Sequence, residues 1–170
     1  RHVPQGGRNV RIPGDENLEF GIWNLERGEK PLFVVEADEY KSAMLNLHPD
    51  IVILTRIEAD HLDYYRDLDH IKDEFKKYAQ LVPKDGYIVA NARDKNIADT
   101  ISKVKCNVVS YNTPEDKQIK SQIREILSVP GEHNRENALA AYKVGQILGL
   151  DDTKILEGLK SFKGTWRRCE

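Results

Sequence analysis

Two acidic stretches carry the side chains best suited to chemistry. One is Glu36-Ala37-Asp38-Glu39; the other runs Thr55-Arg56-Ile57-Glu58-Ala59-Asp60-His61-Leu62-Asp63. Carboxylates are hard oxygen ligands, and several of them with one imidazole and no cysteine cluster suit Mg²⁺ or Mn²⁺ better than zinc. A third stretch, Gly131-Glu132-His133-Asn134-Arg135-Glu136-Asn137, sets two amides three residues apart beside a histidine. On a helix that spacing puts Asn134 and Asn137 on one face of the first turn, where free backbone N–H groups also favour anions. Arg167-Arg168, near the end of the chain, is a pair able to grip a phosphate through forked guanidinium hydrogen bonds. Each stretch also has an ordinary explanation. Acidic loop residues are commonly just solvated, Asn and His commonly cap helices, and paired arginines commonly face water.

Both acidic stretches end continuous apolar runs, Pro31-Leu32-Phe33-Val34-Val35-Glu36 and Asp50-Ile51-Val52-Ile53-Leu54-Thr55. Tyr87-Ile88-Val89-Ala90 and Asn107-Val108-Val109-Ser110-Tyr111 repeat the form. Such runs are expected of strands buried on both faces of a parallel sheet. Between them, Ile71, Phe75, Tyr78 and Leu81 recur at helical spacing and predict a helix over 68–81. A second helix is expected near 95–104. A long one over 134–148 would bury Leu139, Tyr142 and Ile147, with Gly149 as its C-terminal cap. Asp151 or Asp152 would open a last helix running to Phe162. Residues 112–128, with Ile123, Ile126 and Leu127, fit a short helix or an edge strand equally well. The turn-rich first thirty residues hold two short strand candidates, 9–12 and 18–23. Strands alternating with helices in this rhythm predict an α/β fold, a mostly parallel sheet with helices on both faces. Ligands of such sheets bind outside the carboxyl ends of the strands. That rule singles out the acidic stretches.

The bulk numbers bound the answer. At 170 residues the chain is one domain's worth, 39% hydrophobic and 32% charged. A formal net charge of −2 gives no basic surface for nucleic acid or an anionic membrane, so neither is expected as a partner. No run approaches the ~20 apolar residues of a membrane helix, and the first residues lack an apolar signal core. Cys106 and Cys169 are far apart and show no ligand spacing, as expected of a reduced, cytoplasmic protein.

Taken in order, these stretches resemble the Mur ligase family. Val35-Glu36-Ala37-Asp38-Glu39-Tyr40 resembles the acidic strand end that holds magnesium there. Thr55 through His61 with Asp63 resembles the T-N-I-x-x-D-H-x-D segment, whose histidine is another magnesium ligand. Gly131 through Asn137, followed by Ala138-Leu139-Ala140-Ala141, resembles the G-x-H-N-x-x-N-A-x-A-A nucleotide segment. Phe162-Lys163-Gly164 with Arg167-Arg168 and Glu170 resembles the close of the family's central domain. The interval from Glu36 to His61, and the wording E-A-D-E and I-E-A-D-H, fit the branch that adds L-alanine to UDP-N-acetylmuramate. A branch that recycles tripeptide onto the same acceptor shares E-A-D-E-Y. Some members carry a carbamylated lysine one helix further on; here Phe75 stands nearest, with Lys76 adjacent, so carbamylation is not expected.

The resemblance implies a P-loop-NTPase-like central, ATP-binding domain spanning 1–170. Residues 164–170 would be a hinge towards an absent C-terminal domain, and an N-terminal domain of the same ligase would also be a partner. It implies ATP-driven amide formation between UDP-N-acetylmuramate and L-alanine. Glu36 and His61 would be metal ligands for Mg²⁺ serving catalysis; His133, Asn134 and Asn137 would hold the nucleotide, and Arg167 and Arg168 its phosphates. There are departures. The family's first strand and phosphate loop, G-x-x-G-K-T-T, are expected before Arg1, and no such string occurs in the chain. Arg56 stands where Asn is usual and Lys41 where Asp is frequent, and the stretch from Tyr111 to Gly131 is short. Two other readings stay open: a non-catalytic nucleotide- or metal-binding module, and a related ligase of the tripeptide-recycling or folyl-polyglutamate type.

Overall fold

The computed structural model describes residues 32–164. Clustering of contacts divides the chain into two units, Arg1–Glu36 and Ala37–Glu170. Of the first unit only 32–36 is described; the strand candidates at 9–12 and 18–23 lie outside the described residues, as do Arg167, Arg168 and Glu170.

The second unit is built on three parallel strands: β1 (Ile51–Leu54), β2 (Tyr87–Asn91) and β3 (Asn107–Tyr111), in the order β1-β2-β3. Ile51 pairs with Tyr87 and Tyr87 with Asn107, so the three strands start level and release their chains at one edge. Helices α1 (Leu68–Gln80) and α2 (Lys95–Ile101) provide the crossovers. After β3 a short 3₁₀ turn leads to α3 (Lys117–Ile126), followed by α4 (Glu132–Ile147) and α5 (Asp152–Ser161). None of the described helices is long and apolar enough to cross a membrane.

Side chains alternate along each strand and so feed two cores. Val52, Leu54, Ile88 and Ala90 pack with Ile71 and Tyr78 of α1 and Ile97 of α2. Val89 and Tyr111 point the other way, into Ile123 of α3, Leu139 and Tyr142 of α4 and Ile155 of α5. Helices therefore cover both faces, as the alternation of runs predicts. The ambiguous 112–128 stretch resolves as helix because Ile119 and Ile123 meet this second core on one face. Asp67, Asp94 and Asp151 each accept backbone N–H groups that open α1, α2 and α5, meeting donors a helix start leaves free. Gly149, at φ 77°, closes α4 while the Leu150 N–H returns to the Gly145 carbonyl at 3.0 Å, the left-handed stop that glycine allows.

Two expectations need correction. The apolar run at 31–36 forms no strand over its described part, 32–36; Phe33 and Val34 are exposed there. Apolar composition supplies a face to bury but no ladder, and a strand exists only with a hydrogen-bonded neighbour. Helix α2 ends at Ile101, earlier than the expected 104. The Ser102 hydroxyl bonds back to the Asp99 carbonyl at 2.9 Å, a local contact that competes with helix continuation.

One buried ion pair ties the second layer together. Asp116, 2% exposed, meets the Lys143 ammonium of α4 at 2.6 Å, and its other oxygen accepts from the Thr113 N–H and hydroxyl. Burial alone would raise this carboxyl; hydrogen bonding from Lys143 and Thr113 outweighs it and holds the group below its ordinary value. Asp116 therefore contributes stability that is present above the unfolded carboxyl pKa, about 3.9, and is lost as pH falls through the lower folded value. Lys143→Met should cost about 3–5 kcal/mol in urea unfolding at pH 7, by stranding a buried carboxylate. The loss should shrink below about pH 3; an equal loss at both pH values would contradict the assignment.

Candidate metal and nucleotide site

The edge where the strands end is stapled by one side chain. Asn91, the last residue of β2, donates to the Thr55 carbonyl at 3.0 Å. Its own amide oxygen accepts from the Asn112 side chain at 3.0 Å and the Arg93 N–H at 3.1 Å. Asn112 takes φ 64°, a left-handed value that Asn tolerates better than most residues. Two further bonds fix the loop leaving β1. The Ile57 N–H donates to Asp94 at 3.1 Å, and the Ile57 carbonyl accepts from the Asn96 side chain at 2.8 Å. The chain enters Glu58–His61 from a pinned start.

His61 itself sits at φ 50°. Its N–H donates to the Asp60 carboxylate at 2.7 Å, and its carbonyl accepts from the Tyr64 and Tyr65 N–H groups, each at 2.9 Å. The turn carries the imidazole to Glu39, with Nε2 3.2 Å from Oε1. Single ligand atoms of Glu39, Asp60 and His61 all lie within 4.8 Å of one another. Two carboxylates and an imidazole at that separation match the hard, mostly oxygen donor set of Mg²⁺ or Mn²⁺. Tyr40 flanks the imidazole at 5.1 Å between ring centres and hydrogen-bonds Asp63 at 3.2 Å. The buried Tyr65 hydroxyl donates to the Glu39 carbonyl. Beside the cluster a depression of about 220 Å³ is lined by Thr55, Arg56, Glu58, Ile71 and Phe75.

Of the residues singled out by sequence, His61 lies in this cluster. Glu36 closes the first unit, in a stretch without regular structure. Glu39 belongs to the same acidic stretch as Glu36 but is not a ligand that the resemblance implies. Among the described residues it is the carboxylate within hydrogen-bond distance of the His61 imidazole. What places it is the turn just after it, where Lys41 and Ser42 adopt φ 53° and 57°. Neither is glycine, so their types carry no mark of a left-handed pair. Arg56 pairs locally with Glu58 at 3.4 Å, and Lys41 lies 5.2 Å from the Tyr40 ring centre.

Helix α4 starts at Glu132, two residues before the expected 134, so His133 and Asn134 lie in its first turn and Asn137 in its second. The His133 ring folds back over Gly131, where an added Cβ would stand 2.8 Å from its Cε1, and Gly131 has φ 101°. The Asn134 side-chain N–H donates to the Pro130 carbonyl at 2.6 Å, which meets none of the free N–H groups of the helix start, while Asn137 is exposed. Glu136 joins this turn to the end of β2 through Arg93 at 3.1 Å.

A parallel sheet covered on both faces, with its polar loops gathered at the carboxyl edge, places the unit among ligand-binding α/β domains. The family model described as the Mur ligase middle domain matches residues 17–145, and the chain belongs to that family. A UDP-N-acetylmuramate–L-alanine ligase of Clostridium botulinum is 40% identical over 176 residues, covering 91% of this chain and 38% of the relative. The ligase of the same name from Clostridium kluyveri is 43% identical over 174 residues, with the same coverage. The chain thus spans 38% of the length of these curated relatives. Among solved structures, the UDP-N-acetylmuramate:L-alanyl-gamma-D-glutamyl-meso-diaminopimelate ligase of Neisseria meningitides superposes with a TM-score of 0.69 at 26% identity, over 83% of this chain and 51% of that one. MurF of Acinetobacter baumannii gives 0.59 at 19% identity over 75% of this chain and 32% of that one, a likeness of fold alone.

Two tyrosines make opposite predictions. Tyr65→Phe removes a buried hydrogen bond and should cost about 1 kcal/mol in urea unfolding. The Tyr111 hydroxyl is buried without a partner among the described residues, and burial, then Glu136 and Asp94, push its pKa up. Tyr111→Phe should therefore be neutral or stabilising; a larger loss than for Tyr65→Phe would overturn this reading of both hydroxyls.

Proposed function

We propose that the chain is the central, ATP-binding domain of a ligase that joins L-alanine to UDP-N-acetylmuramate in the cytoplasm, between N- and C-terminal domains of the same protein. The observation that carries the reading is the imidazole of His61, held by its turn against Glu39 and Asp60 at the carboxyl edge of the sheet. Identity of 40–43% to ligases of that name supports the choice of acceptor and amino acid.

In this reading His61, Glu39 and Asp60 hold Mg²⁺, with Glu36 a further ligand on the strength of the family resemblance. Mg²⁺ bound there would neutralise charge on the phosphoryl group in flight, where most of the catalytic gain of phosphoryl transfer lies. The reaction has two halves. A carboxylate oxygen of the acceptor attacks the γ-phosphorus of ATP and ADP leaves; the amine of alanine then attacks the acyl carbon and phosphate leaves, with one proton released. His133, Asn134 and Asn137 hold the nucleotide at the start of α4, where the backbone N–H groups favour anionic ligands. Arg167 and Arg168 contact its phosphates, and residues 164–170 lead on to the third domain.

The test is phosphate release by the full-length protein given ATP, Mg²⁺, UDP-N-acetylmuramate and L-alanine. Release should need all four. His61→Asn keeps a residue that tolerates the left-handed turn, so unfolding stability should change by no more than about 0.5 kcal/mol. Turnover should fall at least about tenfold to a hundredfold. Equal turnover in the variant, or release independent of L-alanine, would refute the assignment; a protein that binds Mg²⁺-ATP without turnover would instead be a binding module.

A further inference from the structure

Two short segments bring the cluster together, one holding Glu39 and one turning at His61, and contacts beside the ligand atoms join them. Tyr40 follows Glu39 directly, and Asp63 lies two residues past His61. The Tyr40 hydroxyl donates to the Asp63 carboxylate at 3.2 Å. The Tyr40 ring packs against the His61 imidazole, with 5.1 Å between centres and a tilt of 46°, and edge-on against Tyr64 at 6.1 Å. Tyr40 therefore contacts three residues of the turn that carries the imidazole.

Tyr40 is itself fixed. Its N–H donates to the Asp38 carboxylate at 2.9 Å, and the Met44 N–H returns to the Asp38 carbonyl at 2.8 Å. Met44 then drops into the core beside Ile71 and Tyr78. The ring that meets the imidazole is thus carried on a backbone anchored in the core. The His61 and Glu39 side chains are 34% and 37% exposed, so burial alone does not fix them. A ligand set held loosely must be ordered by the ion at a cost in affinity, and neighbours that orient a ligand remove that cost. Asp63 is acidic and near, yet its carboxylate takes the Tyr40 hydroxyl and it lies outside the Glu39–Asp60–His61 group.

We propose that Tyr40 and Asp63 are positioning residues for the cation cluster: the Tyr40 ring seats the His61 imidazole, and its hydroxyl, anchored on Asp63, holds the His61 turn to the segment that carries Glu39. The inference rests on the Glu39–Asp60–His61 reading above. The Tyr40–Asp63 bond is exposed, and surface contacts of that kind change stability little. Its effect falls on the placing of the ligands.

The experiment is Mn²⁺ titration of the 170-residue chain, with the free ion followed by electron paramagnetic resonance and the melting temperature by circular dichroism. Tyr40→Phe and Asp63→Ala each remove the hydroxyl–carboxylate bond. Each should weaken Mn²⁺ binding about threefold to tenfold, with the melting temperature nearly unmoved. The double variant should be no weaker than either single one, because both break the same contact. Tyr40→Leu also takes the ring from the imidazole and should weaken binding at least about tenfold. Asp63→Asn keeps an oxygen for the Tyr40 hydroxyl and should recover most of the affinity lost in Asp63→Ala. If Asp63→Asn binds as weakly as Asp63→Ala, the Asp63 charge itself serves the ion and the positioning role is overturned. A lower melting temperature with parental affinity in Tyr40→Phe and Asp63→Ala would make the contact purely structural, which overturns it too. His61→Asn separates the proposal from the site it serves. Loss of Mn²⁺ binding in His61→Asn with parental affinity in Tyr40→Phe and Tyr40→Leu would sink the positioning role and leave the metal reading standing. Parental affinity in His61→Asn would sink both.

Discussion

Everything at the carboxyl edge depends on keeping the ends of three parallel strands in register after their ladder stops. Parallel strands give up hydrogen bonding at that edge together, and the backbone groups leaving it must be met by something else. Asn91 does this for all three at once: its amide N–H reaches the carbonyl after β1, while its oxygen takes the Asn112 side chain beyond β3 and an N–H of its own loop. Asp94 and Asn96 complete the arrangement on Ile57. The Asn112 side-chain oxygen is buried without a partner among the described residues, and the bonds that are made fix the geometry of the edge. The loop to His61 inherits that geometry.

The energetic weight of the polar contacts follows their burial. Arg56–Glu58 and Lys154–Asp151 are exposed pairs at 3.4 and 3.9 Å, the kind that contributes almost nothing. Asp116–Lys143 and the Glu74 contacts involve carboxylates taken out of water, where removing one partner strands a charge. The first fastens α3 to α4 on one side of the sheet. The second lies within α1, where Lys77 meets the buried Glu74 carboxylate three residues before it.

Much of the fold is legible in the sequence. The runs at 51–54, 87–91 and 107–111 announce strands, but the expected burial on both faces holds for β2 alone; Ile53 of β1 and Val108 of β3 are exposed. Asp151, expected with Asp152 as the opening of the last helix, does cap α5, while the caps Asp67 and Asp94 of α1 and α2 are not singled out by residue type. The run at 31–36 has the same pattern, yet its described part forms no ladder, because pairing is a property of two segments and the pattern belongs to one. Residues 112–128 stay undecided on sequence since three apolar residues fit either period. His61 and the first turn of α4 can be found from residue type and spacing. Glu39 as the partner of His61 cannot: its position follows from left-handed φ at Lys41 and Ser42, which those residue types do not advertise. Asn91, Asp94 and Asn96 are equally invisible, being common loop residues whose partners lie 36–39 positions away.

If the cluster at the strand edge is a divalent-cation site built on His61, crystals of the chain grown with Mn²⁺ should show it directly in an anomalous X-ray difference map. A peak is expected at bonding distance from His61 Nε2, shared with the Glu39 and Asp60 carboxylates. No peak at His61 in crystals whose Mn²⁺ is bound elsewhere, or a peak on the acidic residues with the imidazole turned away, would contradict it.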